Sequence, residues 1–280
     1  MEGMLHLPTW LFVLLLTAFT VTLVLGGLAL KFKFLPHLFL SSEDNQSANI
    51  LIRLTSTLLT VMLAFMVISI WKDYEMQRTN TEEEACTLGN LYRDARGANL
   101  KVEAEIQGLV VNYTRAVVEH SWPAMADGRE SKRAWRAFND LYGYVIRINP
   151  ENKKEEIIFA RLSGHLNKLA TYRRLRNLRN QNPSMPEFMS GIIFLGCIVN
   201  IVFSYLLQVE NKRMHQLMVG MGGIMLGLVF SLIMLLNHPY RSSVKVSSQP
   251  LENLLDDVFP MAEVSLVEGP KPAFQAETTN

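Results

Sequence analysis

Arg53, Thr57, Val61 and Ala64 recur at spacings of four, four and three, which places them on one face of a helix. Thr55, Ser56 and Thr60 stand beside them at the polar start of a run that is otherwise apolar. In a membrane path, a guanidinium at the mouth concentrates anions and a layer of hydroxyls offers them hydrogen-bond donors. A second reading is equally physical: the hydroxyls bond back to their own helix and Arg53 snorkels to lipid headgroups. Spacing leaves both open.

A second polar group is Glu82-Glu83-Glu84. Three consecutive helical positions spread over about 200° of the helix surface and cannot converge on a cation. Glu82 and Glu83 read as a solvated face. Glu84 stands four before Leu88, on an apolar stripe, and is either solvated or buried against a cation, for which Arg93 and Arg96 are the candidates. A third group is basic, Arg173-Arg174-Leu175-Arg176-Asn177-Leu178-Arg179. Just ahead of an apolar span, Arg173, Arg174, Arg176 and Arg179 form a patch suited to anionic headgroups or, alternatively, to an anion-collecting vestibule. The six histidines (His6, His37, His120, His165, His215 and His238) are too scattered for a metal site. No motif for a nucleophile, metalloprotease, phosphate loop or redox dithiol occurs. The sequence therefore predicts neither enzyme activity nor a bound metal or cofactor.

The elements that must position these residues are mostly membrane spans. Of 280 residues, 49% are hydrophobic and 19% charged, with a net charge of +1. That composition excludes a disordered chain, a nucleic-acid-binding tail and a disulfide-stapled mini-protein. Residues 72–187 carry 19 of the 27 Lys and Arg and 16 of the 26 Asp and Glu. Outside them, Pro8–Leu30, Leu54–Trp71, Phe188–Val209 and Gln216–Asn237 contain no charged residue. Each is long enough for roughly 30 Å of hydrocarbon. The first reads as a retained span, since no Lys or Arg precedes it. The expected fold is an all-α membrane protein with four transmembrane helices and a helical domain inserted between the second and third. Its expected divisions are 1–71, 72–187, 188–240 and a partly disordered tail, 241–280. Near the span ends the insert side carries Lys72, Arg78, Arg173, Arg174, Arg176, Arg179, Arg241 and Lys245. The opposite side has only Lys31, Lys33, Arg53, Lys212 and Arg213. This bias predicts a cytoplasmic insert with both termini on the same side, where Cys86 and Cys197 would stay reduced.

Within the insert, Leu88, Leu91, Tyr92, Ala95, Val102, Ile106, Leu109, Tyr113 and Val117 form one stripe. The pattern predicts a helix continuing unbroken from the second span to Trp122-Pro123. A second helix is expected from an N-cap at Ser131 to about Arg147. A third follows Asn149-Pro150-Glu151, with Ile158, Leu162, Leu166, Leu169, Tyr172 and Leu175 as its stripe. A break is expected over Asn182-Pro183-Ser184-Met185-Pro186. In the fourth span Gly223 and Gly227 form a Gly-x-x-x-Gly, suited to close helix approach within a subunit or between subunits. Leu251–Phe259 reads as a short amphipathic patch.

The second span leaves as Trp71-Lys72-Asp73-Tyr74-Glu75, followed by Glu83-Glu84-Ala85-Cys86-Thr87-Leu88-Gly89-Asn90-Leu91-Tyr92-Arg93. The fourth ends as Asn237-His238-Pro239-Tyr240, followed by Val244-Lys245-Val246 and Pro250-Leu251. Over nearly the whole chain this order resembles the bacterial bestrophin-like family, itself similar to the bestrophins, pentameric anion channels. The resemblance implies a homo-oligomer, favours a pentamer, and implies lipids and inorganic anions as partners in a bacterial inner membrane. Matching Trp71 and Tyr74 to the bestrophin exit motif places Arg53, Thr57 and Val61 where bestrophins line their neck with bulky apolar residues, a departure in this chain. Glu252, Asp256 and Asp257 are similar in place to the calcium clasp of animal bestrophins, but the acidic run is sparser and no calcium is implied. The rival class is a non-conducting scaffold or sensor whose insert binds a cytoplasmic partner.

Overall fold

A computed structural model describes residues 8–34, 42–182, 187–207, 209, 211–241 and 244–260. Every regular element among them is helical. The chain forms two compact units, one of residues 1–76 and 182–245, the other of 77–181 and 246–280.

The first unit contains four helices long and apolar enough to cross a membrane. They are α1 (Thr9–Phe34), the first part of α2 (Ser42–Asp94), α7 (Glu187–Leu206) and α8 (Lys212–Asn237). α1 and α8 are the most closely packed pair, and glycine is the reason. A Cβ on Gly227 would lie 2.8 Å from the Thr17 Cα, and one on Gly223 would lie 3.3 Å from the Val21 Cα. The backbones meet where no side chain intervenes, and the Thr20 hydroxyl donates to the Gly223 carbonyl at 3.2 Å. The Gly-x-x-x-Gly is thus used inside the subunit. α2 is held by Met66 and Ile70, which pack on Ile193 and Cys197 of α7 and on Ile233 and Leu236 of α8. Polar bridges add to this apolar core: Asn200 donates to Ser56 (2.7 Å), and the Tyr205 hydroxyl donates to the Val24 carbonyl (2.6 Å). The first turn of α8 is capped by the Asn211 side chain, which accepts from the Arg213 amide.

The second unit holds the rest of α2, then α3 (Leu100–Ala116), α4 (Trp122–Ala126), α5 (Lys132–Ile146), α6 (Lys153–Gln181) and α9 (Gln249–Asn253). The helix expected to run unbroken to Trp122 breaks earlier. After Asp94 the chain makes a 3-10 turn, Ala95–Gly97, and α3 restarts with the Asn99 side chain accepting from the Val102 amide. The reason is local. A Cβ at residue 97 would lie 2.8 Å from the Ile158 Cδ1, so glycine lets α6 close over the corner while Asn99 satisfies a free helix donor. A π-helical turn, Val117–Ser121, then joins α3 to α4. α5 starts at the Ser131 cap, whose hydroxyl accepts from the Ala134 amide. α6 starts later than expected, because Asn152 rather than Asn149 accepts the first-turn amide, that of Glu155. Its inner face also differs: Leu162, Leu166 and Leu169 are buried, but Leu175 is exposed and the buried series continues through Arg176 and Asn180. The amphipathic tail patch docks on this unit. Leu251 and Leu254 are buried, and Phe259 stacks on Tyr92 at 4.6 Å between ring centres. The expected break over 183–186 and the tail beyond residue 260 lie outside the described residues.

Candidate functional site

Two sets of polar side chains stand out, one in each unit. On the first part of α2, Arg53, Thr57, Val61 and Ala64 are all exposed, and Ile68 extends the same face. The opposite face carries Leu59, Leu63, Met66 and Ile70 against α7 and α8. Within its own unit the Arg53 face is therefore covered by no helix. Among the described residues the Arg53 guanidinium makes no hydrogen bond or ion pair. Three hydroxyls on this stretch are already committed. Thr57 donates to the Arg53 carbonyl (2.8 Å), Thr60 to Ser56 (2.8 Å) and Thr55 to Leu51 (3.0 Å). A hydroxyl that donates back to its helix presents only lone pairs outward. Of the two readings the spacing leaves open for the hydroxyls, Thr57 adopts the bond back to its own helix, so on this face the group able to attract an anion is the Arg53 guanidinium.

The second set is buried. Glu84 and Arg176 form an ion pair with Nε–Oε2 at 3.0 Å, and Arg176 Nη2 donates to the second carboxylate oxygen at 3.1 Å. Both side chains are almost wholly excluded from solvent, 1% and 2% exposed. The Tyr113 hydroxyl donates to the same carboxylate at 2.8 Å, Arg176 Nη1 donates to the Ser121 hydroxyl at 3.3 Å, and the guanidinium stacks 5.0 Å from the Trp122 ring centre. Trp122 Nε1 donates to the Val246 carbonyl at 3.1 Å. One carboxylate and one guanidinium thus tie α2, α3, the π turn, α4, α6 and the returning tail. A charge pair so far from water persists only because its lone pairs and protons are met on several sides. Burial, and then the Glu84 charge, pushes the Tyr113 hydroxyl well above its usual pKa, which holds it as a neutral donor.

Several expected site residues lie elsewhere. The partner of Glu84 is Arg176, not Arg93 or Arg96. Arg93 instead bonds Asn90 (3.0 Å) and the Gly89 carbonyl (3.2 Å), one turn away on its own helix, and Arg96 is exposed in the corner after α2. Removing Arg176 from the basic patch leaves Arg174 exposed, Arg179 half-buried and Arg173 over the Phe138 ring at 5.0 Å. Arg176 was nonetheless findable. Leu162, Leu166, Leu169, Arg173, Arg176 and Asn180 repeat at four and three, so a reading by spacing alone would have carried the buried stripe onto the arginine. Tyr113 lies on the apolar stripe that the spacing predicts, whereas Ser121 carries no sequence signal as a partner of the pair. Among the described residues no three His, Cys, Asp or Glu side chains converge on a metal position. Cys86 is exposed and Cys197 buried, and both are free thiols.

The family model of the bestrophin-like domain matches residues 5–251. The chain belongs to the bestrophin-like family. Among solved structures it is similar to the crystal structure of a bacterial bestrophin homolog from Klebsiella pneumoniae carrying a mutation. The two share 13% identity with a TM-score of 0.64, over 91% of this chain and 99% of that one. No curated protein matches the chain. The bestrophin-like chain is thus an all-α membrane protein with the bestrophin fold, and the family resemblance read from the Trp71 and Glu84 blocks is correct.

Proposed function

We propose that this protein is an oligomeric bestrophin-type ion channel of a bacterial inner membrane. In this reading it conducts anions, with the second span lining the pore. The helical unit, both termini and the basic patch at Arg173, Arg174 and Arg179 face the cytoplasm and its leaflet. The subunits assemble as a homo-oligomer, a pentamer by family resemblance. Family membership and fold support a channel of bestrophin type. One observation carries the pore assignment: the Arg53, Thr57, Val61 and Ala64 face of α2 is exposed, while the opposite face packs on α7 and α8. A scaffold with no pore would have had reason to bury its polar span face among its own helices, where lipid cannot reach it. Arranged round an axis, several Arg53 guanidiniums would give an anion-attracting mouth whose field is screened over about 8 Å at physiological salt.

The test is halide flux into liposomes at low and high salt. Arg53→Glu reverses the field, so anion flux and the anion-to-cation permeability ratio should fall, most at low salt. Thr57→Phe should reduce flux of every ion, and a conservative change at Leu59, on the packed face, should do neither. If wild-type protein passes no ion, or if Arg53→Glu leaves selectivity unchanged at low salt, the pore assignment fails and the scaffold reading replaces it.

A further inference from the structure

We propose that the outer face of α5 at its N-terminal end, Lys132, Arg133, Trp135 and Arg136, is a docking surface for anionic phospholipid headgroups. α5 is sharply two-sided. Ala134, Ala137, Phe138, Leu141 and Val145 are buried, while Lys132, Arg133, Trp135 and Arg136 are exposed, Trp135 at 52%. A tryptophan with half its surface in water is costly to leave unpartnered, and this one lines a shallow hollow with Glu130, Ser131, Lys132 and Arg136. The three cations are uncompensated: among the described residues Lys132, Arg133 and Arg136 make no ion pair. The one acid in the hollow, Glu130, accepts from the neutral Gln181 amide at 3.1 Å and keeps its charge, which leaves three cations against one carboxylate. The face therefore combines a bare indole with a net positive cluster, the pairing that seats at a membrane–water interface bearing negative charge.

Position supports the same occupant. The Gln181–Glu130 bond and the donation from Asn180 to the Arg129 carbonyl (3.4 Å) tie the start of α5 to the last turn of α6. This is the end of the helical unit from which the chain departs for the third span. Five residues lie between Gln181 and Glu187, where α7 begins. Arg174, exposed on the same helix as Gln181, adds a fourth cation near this end. A second copy of the chain would have to bring carboxylates to the three cations and apolar surface to the indole, whereas a leaflet containing phosphatidylglycerol presents negative charge beside apolar surface without further construction.

The experiment uses full-length protein in nanodiscs of phosphatidylcholine, with or without phosphatidylglycerol, and a headgroup spin-labelled lipid as quencher. The chain has four tryptophans, so subtracting the emission of Trp135→Phe isolates Trp135. In discs containing phosphatidylglycerol, quenching should remove most of the Trp135 signal. In phosphatidylcholine alone, at high salt, or in Lys132→Glu/Arg133→Glu/Arg136→Glu, the quenching should fall several-fold. The salt arm on wild-type protein keeps the test decisive if the triple variant fails to fold. Quenching equal in both lipids, or absent in both, overturns the proposal. Trp135 shielded in detergent and in discs alike also overturns it, and assigns the face to contact between copies.

Discussion

At the residue scale, the Glu84–Arg176 pair makes the helical unit sensitive to the loss of either charge alone. Removing one partner leaves the other charged in a site almost closed to water, a change that costs about 3–5 kcal/mol. Arg176→Met should therefore lower the thermal midpoint sharply. Glu84→Leu/Arg176→Met, which removes both charges, should recover much of the loss. Scanning fluorimetry in detergent reads both, and an Arg176→Met protein melting with wild type would show that the pair carries no such role. Tyr113 adds a pH dependence. Its folded-state pKa is raised, first by burial and then by the Glu84 charge. A group raised in the folded state gives stability that is complete below its unfolded pKa, about 10, and is lost as pH climbs from there towards the folded value. Stability should thus fall above about pH 10, and Tyr113→Phe should flatten that fall while costing about 2 kcal/mol at neutral pH for its bond to Glu84. Tyr172, raised in the same direction by burial and by Glu83, leaves some of the alkaline loss in place. An unchanged alkaline melting profile in Tyr113→Phe would refute the assignment.

At the element scale, glycines that look alike in sequence have different roles in α8. A Cβ on Gly227 meets the α1 backbone at Thr17, whereas one on Gly222 meets nothing within 4 Å. Gly227→Ala should push α1 and α8 apart and cost about 1–3 kcal/mol. Gly222→Ala should be neutral or slightly stabilising, since alanine is the better helix former by up to about 1 kcal/mol. Thermal midpoints of the two variants in one detergent make the comparison, and equal midpoints would refute the close approach. The corner between α2 and α3 follows the same logic. Gly97 and Asn99 are ordinary residues in a helical stripe until the Ile158 side chain of α6 occupies the space a Cβ would need.

At the scale of the whole molecule, the consequences of the proposed channel are assembly and sidedness. If second spans surround an axis, Val61→Cys in a Cys86→Ser background should give disulfide-linked dimers under mild oxidation. Leu63→Cys, facing α7 and α8, should not. Linkage at neither position would take the second span away from the axis. Reporter fusions at Asn182 and Asn280 should both read as cytoplasmic, following the Lys and Arg excess on the insert side, and an extracytoplasmic signal at either would invert the protein.

The four spans, the helical character of the insert and the amphipathic tail patch were fixed by sequence, because a charge-free run of bilayer length and a repeat of three and four each restrict a chain to one kind of element. Ser131 was legible as a cap for the same local reason. What spacing left open was which helix faces which. Arg176 sat in a run of arginines that composition assigned to a lipid surface, yet its place in the Leu162, Leu166, Leu169 series turns it inward. Glu84 shows the limit most clearly. Leu88 one turn on makes burial one of its two readings, but its partner lies 92 positions away, whereas Arg93 and Arg96, the candidates the chain offers, stand within a few turns of it. Only the packing of α2, α3 and α6 brings a phenol and a guanidinium within 3.1 Å of one carboxylate oxygen. Such a contact depends on distances between helices, which periodicity along a single helix does not encode.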